Sequence, residues 1–296
     1  MSQPDFAAQM AAHNVIFRIP TPIFGAGLIE QIPDSAIAAS RAADEANKRS
    51  AGIKGRPNFH VSGRTITGQS NNNGNDGTIA RFGWKAQNKS LLIFSGEAYN
   101  VEMGITSDLF PTERDEDASC QFATVPNSIT DMNADDPVES MSSIEKFSHF
   151  MRFLAPPTPS SDTPGGTGSI SKGKKGFSSV GCAMCHTPEF TTGRSPIAAM
   201  NGKKVALFSD LLLHDMGDGL ADGVSQGEAG PREFRTAPLW GLGQRIFFLH
   251  DGRTSDLVEA IRAHQSQGSE ANLVMQQFLG QSESDKQDIL NFLRSL

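Results

Sequence analysis

The stretch Cys182-Ala183-Met184-Cys185-His186 decides what the surrounding chain has to build. Two cysteines separated by two residues and followed by a histidine form the attachment motif of a c-type haem. In this motif both thiols add to the haem vinyl groups, and the adjacent imidazole ligates the iron as the proximal ligand. The pentapeptide therefore predicts one covalently attached haem, with Cys182 and Cys185 as its anchors and His186 on the iron.

Other uses of a CxxC pair fit the sequence less well. A structural zinc site needs two further ligands, and no second C-x-x-C or H-x-H pair stands at finger spacing. A thioredoxin-like dithiol follows a strand in a βαβ unit and does not need His186. Zinc, a redox dithiol and a chance CxxC in a loop remain as alternatives. The third cysteine, Cys120, would stay unpaired, so no disulfide framework is predicted.

Length and composition describe a globular chain of up to two domains. The 296 residues are 38% hydrophobic and 20% charged, while 29 glycines and 16 prolines indicate many loops. The formal net charge of -7 argues against nucleic acid and against anionic membrane surfaces. The charge favours a basic redox partner protein, and a small-molecule oxidant is the other partner class that we expect.

The sequence contains no apolar run near the ~20 residues of a membrane span. Its first residues also lack the basic and apolar segments of a secretory signal. Covalent haem attachment is normally completed after export, so we expect a periplasmic or otherwise exported protein whose leader has been removed.

Periodicity predicts a mainly α fold with a break in the middle of the chain. A stretch rich in Pro, Ser, Thr and Gly over about 155–170 is typical of a linker. The capping box of Ser142 and Glu145 begins a helix before this linker. A glycine-weakened helix over 169–180 and an apolar-faced helix over 284–296 follow it. These last two resemble the class I cytochrome c fold, so we expect a cytochrome c-like domain over 141–296 and a loop-rich, partly helical N-terminal region over 1–140.

A second axial ligand is expected, because cytochrome iron usually takes His or Met opposite the proximal histidine. The candidates downstream of the motif are Met200, His214, Met216, His250, His264 and Met275. The segment 255–264 is typical of a helix with Ser255 as its N-cap, and it places Leu257, Ile261 and His264 on one face. We favour His264 as the ligand, with Met216 as the alternative. A helix C-terminal histidine that contacts the last carbonyls is the structural alternative.

Several segments, taken in order, resemble the di-haem oxidoreductase family, which is related to bacterial cytochrome c peroxidases and to the di-haem enzyme that matures methylamine dehydrogenase. The resemblance covers most of residues 15–296. The segments that carry it are IPTPIFGAGLIEQIP, GRPNF, RFGWKA, EMGITSDLFP, LLLHDMGDGLADG, EFRTAPLWGLGQRIFFLHDGR, LVEAIRAH and ILNFLRSL.

The resemblance implies further site residues. In the related peroxidases the distal ligand of the C-terminal haem follows the helix after the HDG turn, where His264 stands here. Arg81-Phe82-Gly83-Trp84 and Glu102-Met103-Gly104 are similar to the segments around the catalytic glutamate, which implies that Glu102 and Trp84 are catalytic. The family also implies a calcium position, for which the backbone carbonyls of Thr236 and Pro238 are candidates.

Two functions remain open at this point. Family members typically carry two CxxCH motifs and this chain has one, so a missing motif would lie upstream of Met1. The favoured function is a periplasmic haem oxidoreductase of the di-haem peroxidase type, whose C-terminal haem relays electrons. The alternative is a mono-haem electron-transfer cytochrome without substrate chemistry.

Overall fold

A computed structural model of the chain describes residues 5–61, 65–66, 69–70, 76–113, 121 and 124–296. Cys120 lies outside these residues. In the described residues the helices are α1 (Phe6–Ala11), α2 (Ala26–Glu30), α3 (Asp34–Ala42), α4 (Glu45–Ser50), α5 (Leu91–Met103), α6 (Pro137–Ser140), α7 (Ser143–Phe153), α8 (Gly166–Ser179), α9 (Leu257–Arg262), α10 (Asn272–Leu279) and α11 (Glu283–Ser295).

The strands that the structure describes are short and pair two by two. They are β1 (Asn58–Val61), β2 (Thr65–Ile66), β3 (Gln69–Ser70), β4 (Asp76–Ala80), β5 (Phe190–Thr191), β6 (Lys204–Val205), β7 (Leu213–Asp215) and β8 (Glu233–Arg235). The antiparallel pairs are β1 with β4, β2 with β3, β5 with β6 and β7 with β8. Helix predominates over strand, so the prediction of a mainly α fold is confirmed.

The helix boundaries agree with the capping chemistry in the sequence. Both hydrogen bonds of the predicted capping box form at the start of α7, between Ser142 and Glu145. Helix α11 begins after Ser282, whose side chain accepts from the Asp285 amide. Helix α8 begins at Gly166, earlier than its apolar pattern indicates, so it takes up the end of the predicted linker. Residues 154–165 carry neither helix nor strand.

The most extensive contact between two helices in the described residues joins α8 and α11. The two backbones approach so closely that a Cβ on Gly173 would lie 1.9 Å from the Asp288 carbonyl oxygen. Phe177 and Phe292 fill the interior of the contact with ring centroids 5.5 Å apart. Ser169 donates to the Asp288 carboxylate at its rim. This pair of helices forms the support from which the CxxCH turn projects.

Helix α7 packs against α2 and α5. Met151 of α7 belongs to a hydrophobic cluster with Ile29, Leu91 and Trp240. This cluster joins residues from both sides of position 140. The predicted division into 1–140 and 141–296, with a linker near 155–170, stays a prediction.

In the part of the chain that the structure describes, no helix combines the length and the apolar character needed to cross a membrane.

The close approach at Gly173 makes a stability prediction. Replacing Gly173 with Ala forces a methyl group against the α11 backbone, so we expect the free energy of unfolding to fall by about 1–3 kcal/mol. Gly168 of the same helix has no atom within 4 Å of its Cβ position and serves as the matched control. Gly168→Ala should raise stability by about 0.5 kcal/mol through helix propensity. Denaturant titration of the holoprotein measures both, and equal effects of the two variants would contradict the packing assignment.

Candidate haem site

The CxxCH motif forms a 3₁₀ turn directly after α8. Gly181 begins the turn with φ of 94°, a conformation that glycine adopts without strain. Its Cβ position lies 3.2 Å from Val274 Cγ2, so a larger residue would also crowd α10. The His186 amide donates to the Cys182 carbonyl over 2.9 Å, which closes the turn. The closure places Cys182, Cys185 and His186 along one wall of a cavity.

His186 is held in one tautomer by the backbone. Its Nδ1 lies 2.9 Å from the carbonyl oxygen of Phe208. A carbonyl oxygen only accepts, so Nδ1 carries the proton and Nε2 keeps its lone pair. Burial lowers the pKa of His186 to about 4. The ring is therefore neutral at ordinary pH, the form in which imidazole ligates a metal.

His264 repeats this arrangement on the other elements of the cavity. Helix α9 begins after Asp256, one residue later than predicted, because the Asp256 carboxylate accepts from the amides of Val258 and Glu259. His264 follows the helix, and its Nδ1 lies 2.9 Å from the Ala260 carbonyl oxygen. This hydrogen bond is the contact that the structural alternative predicts, yet it also leaves Nε2 unprotonated. Burial lowers the pKa of His264 as well.

Both histidines line the same cavity, whose volume is about 220 Å³. Leu257, Ile261 and His264 all line it, so the predicted inward face of α9 is confirmed. The other walls are mostly apolar and come from distant parts of the chain. They include Ile53, Trp84, Phe177, Leu220, Phe234, Leu239, Leu242, Phe248, Leu249, Val274, Met275, Phe278, Ile289 and Leu293.

The donor set fits a haem held by two imidazoles. The cavity is mostly apolar, and Cys182 and Cys185 line it. His186 and His264 each have Nδ1 against a backbone carbonyl, which leaves Nε2 without a proton. Burial raises the pKa of Cys182 to about 12. Among the described residues, no group of three or more His, Cys, Asp or Glu side chains could hold a metal ion.

Trp84 and Met216 also line the cavity, as do His214, His250 and Met275 from the original list of ligand candidates. Met200 is buried elsewhere. The Trp84 indole donates over 2.7 Å to the Ile19 carbonyl, which holds this N-terminal side chain at the cavity wall. His264 and Met216 as iron ligands, and Trp84 as a catalytic residue, stay predictions.

Glu102 lies outside this cavity, in the last turn of α5, where its side chain is exposed. The structure therefore does not bring Glu102 together with the CxxCH turn. The resemblance assigns Glu102 to a different haem, so its catalytic role also stays a prediction.

His214 belongs to a cluster of charged side chains that the sequence does not predict. Its Nε2 lies 3.0 Å from Asp210 Oδ2, and its Nδ1 lies 2.8 Å from Glu270 Oε2 and 3.6 Å from Cys185 Sγ. Burial opposes a charge on the ring, but Cys185 and Asp210 outweigh it and raise the pKa of His214 well above its usual value. No sequence signal identifies this cluster, because Glu270 is 56 residues from His214.

The two carbonyls considered for calcium hold other partners. The Thr236 oxygen accepts from Ser209 Oγ over 2.5 Å, and the Pro238 oxygen accepts from Arg245 Nη2 over 3.1 Å. Arg235 Nη1 lies 3.5 Å from the Thr236 oxygen. Two guanidinium groups beside these oxygens repel a divalent cation in this arrangement. The calcium position stays a prediction.

Comparison with known proteins agrees with the resemblance seen in the sequence. A solved structure of Kuenenia stuttgartiensis hydrazine synthase, pressurised with xenon, is similar at a TM-score of 0.40 and 18% identity, over 97% of this chain and 92% of that chain. No curated protein matches the sequence. A family model described as "Di-haem oxidoreductase, putative peroxidase" matches residues 7–296. Because the match spans nearly the whole sequence, the chain belongs to this family of haem oxidoreductases.

Proposed function

We propose that this chain is a periplasmic c-type haem oxidoreductase of the di-haem cytochrome c peroxidase type, in which the C-terminal haem receives electrons and passes them on. One observation carries the proposal. The rings of His186 and His264 line one apolar cavity beside Cys182 and Cys185, and each ring is fixed by a backbone carbonyl at Nδ1.

In this proposal residues 141–296 form the cytochrome c-like domain. Support comes from α8 and α11, which pack closely and present the CxxCH turn at one end of α8. The N-terminal region, 1–140, contributes Trp84 and Ile53 to the cavity wall.

The protein contributes orientation and exclusion of water to the chemistry. A c-type haem supplies one-electron transfer through its iron when it is bound. Neutral imidazoles at His186 and His264 would both ligate the iron, and the apolar walls would keep solvent away from them. With both imidazoles on the iron the site would offer no place for peroxide, so we assign it to electron relay. The partner that delivers electrons is then a redox protein, and the acceptor is a second redox centre or a small-molecule oxidant.

We assign catalysis to a site outside the cavity that contains the CxxCH turn. Glu102 would assist peroxide chemistry beside a second haem, and Trp84 would lie between the two redox centres. Trp84 is buried at the wall of the cavity and contacts the His250 ring edge at 6.3 Å between centroids. Calcium at the Thr236 and Pro238 carbonyls is a separate prediction, which metal analysis of the purified holoprotein tests.

The alternative function, a mono-haem electron-transfer cytochrome, is favoured by the presence of a single CxxCH motif in the sequence. Glu102 is exposed and does not line the cavity that contains this motif. Counting covalent haems in the native protein and assaying peroxide turnover separate the two functions. One haem without turnover would support the carrier, whereas two haems with turnover would support the oxidoreductase.

The first prediction concerns covalent attachment. The denatured protein should retain haem mass, and the double variant Cys182→Ala, Cys185→Ala should lose the haem of this site. Cys120→Ala is the matched control and should keep it. Mass spectrometry and acid-acetone extraction make the measurement, and pigment that is fully extracted from the unaltered protein would refute the attachment.

The second prediction concerns the distal ligand. His264→Ala should open a coordination position and convert the spectrum of this haem from low spin to high spin. Met216→Ala is the control and should leave the haem low spin. Electronic absorption and electron paramagnetic resonance report the spin state. A low-spin His264→Ala variant together with an altered Met216→Ala spectrum would assign the ligand to Met216.

The third prediction concerns Glu102. If the native protein carries a second haem, Glu102→Gln should lower peroxide turnover by roughly 10²–10⁴-fold with unchanged haem content, since general acid–base help is worth about that factor. Glu139→Gln changes another exposed helical carboxylate and should leave turnover unchanged. Steady-state kinetics with hydrogen peroxide test this, and equal rates for the two variants would remove Glu102 from the mechanism.

A further inference from the structure

Two guanidinium groups line the cavity without a carboxylate partner. Arg235 is 7% exposed, and its Nε donates over 2.9 Å to the Gly83 carbonyl. Half-buried Arg245 donates from Nη2 to the Pro238 carbonyl over 3.1 Å. In the residues that the structure describes, no Asp or Glu forms an ion pair with either side chain. Both side chains line the same cavity as His186 and His264.

This pair differs from several other buried or partly buried cations in the described residues, which are paired with carboxylates: Arg18 with Asp222, Arg56 with Glu233, Arg81 with Asp34, Lys85 with Asp222 and Arg152 with Glu30. Arg235 instead lies near another cation, Arg245. Burial and the neighbouring charge of Arg245 lower the pKa of Arg235 to about 10, still charged at neutral pH.

The cavity itself supplies no free anion to these two cations. Glu270 is the carboxylate among its lining residues. That carboxylate accepts from His214 over 2.8 Å and from the amides of Lys54 and Gly55 over 3.0 and 3.2 Å. A buried cation without a counter-charge is strongly unfavourable, and a second cation beside it adds repulsion. The negative charge that balances Arg235 and Arg245 must therefore come with whatever fills the cavity.

We propose that Arg235 and Arg245 bind the two propionate carboxylates of the haem. This inference rests on the proposed function, because it assumes that the cavity holds a haem. Guanidinium groups match carboxylates with paired, charge-assisted hydrogen bonds. Backbone carbonyls hold one edge of each guanidinium, so the remaining N–H groups are oriented before the ligand binds. The two cations also favour the ferrous state, because they offset the negative charge of the propionates near the iron.

Spectroscopy of the covalent holoprotein tests the contact directly. Arg245→Gln should shift the propionate bending mode in the resonance Raman spectrum and lower the haem reduction potential. Arg245→Lys should shift the same mode but keep most of the potential, because it retains the charge and loses the planar donor fork. Arg235→Gln should act like Arg245→Gln. Arg294→Gln removes an exposed arginine of α11 and should leave both readouts unchanged.

An unchanged propionate mode in Arg245→Gln would overturn the assignment, even if the potential falls, because a bare electrostatic effect moves the potential alone. If Arg235→Gln does not fold, Arg245→Gln carries the test, since its side chain is only half-buried. Failure of this proposal is distinct from failure of the proposed function. The former leaves a covalent, low-spin haem with unaltered propionates, whereas the latter shows up as haem that is not covalently attached or as a single haem without peroxide turnover.

Discussion

The hydrogen bond from His186 Nδ1 to the Phe208 carbonyl oxygen is the interaction on which the site depends. It fixes the tautomer of the ring and ties the CxxCH turn to the segment that follows β6. The amides of Ser209 and Asp210 donate back to the Thr187 and Cys185 carbonyls, each over 2.9 Å. Phe208 has φ of 54°, a left-handed conformation that costs a non-glycine residue about 1 kcal/mol or more. The backbone hydrogen bonds of Ser209 and Asp210 hold Phe208 in this conformation, in which its carbonyl oxygen lies within hydrogen-bond distance of His186 Nδ1.

The second constraint is the contrast between the apolar walls of the cavity and the few charged side chains that also line it. Phe177, Ile289 and Leu293 contribute both to the packing of α8 on α11 and to the cavity wall. The same apolar side chains therefore serve both the contact between the two helices and the wall of the cavity. Among the polar groups that line the cavity, His214 lies between two carboxylates, whereas Arg235 donates to the Gly83 carbonyl.

Local chemistry in the sequence predicts individual elements well. The capping box at Ser142, the apolar face of α11 and the inward face of α9 all appear in the structure. The differences between the predicted and observed helix boundaries are local as well. Asp256 replaces Ser255 as the cap of α9 because its carboxylate reaches two amides at once. Helix α8 extends back to Gly166 because its contact with α11 stabilises residues whose composition alone indicates a linker.

The sequence by itself determined the haem motif, the mainly α character, the family and the candidacy of His264, because each depends on residues close together in the chain or on an ordered set of short motifs. Tertiary structure alone decided which groups meet at the cavity. It brought Glu270 to His214 across 56 residues, placed Arg235 beside Gly83 across 152 residues and left Glu102 outside. Periodicity reports which face of a helix is buried, but the partner of a buried charge is set by contacts between distant segments.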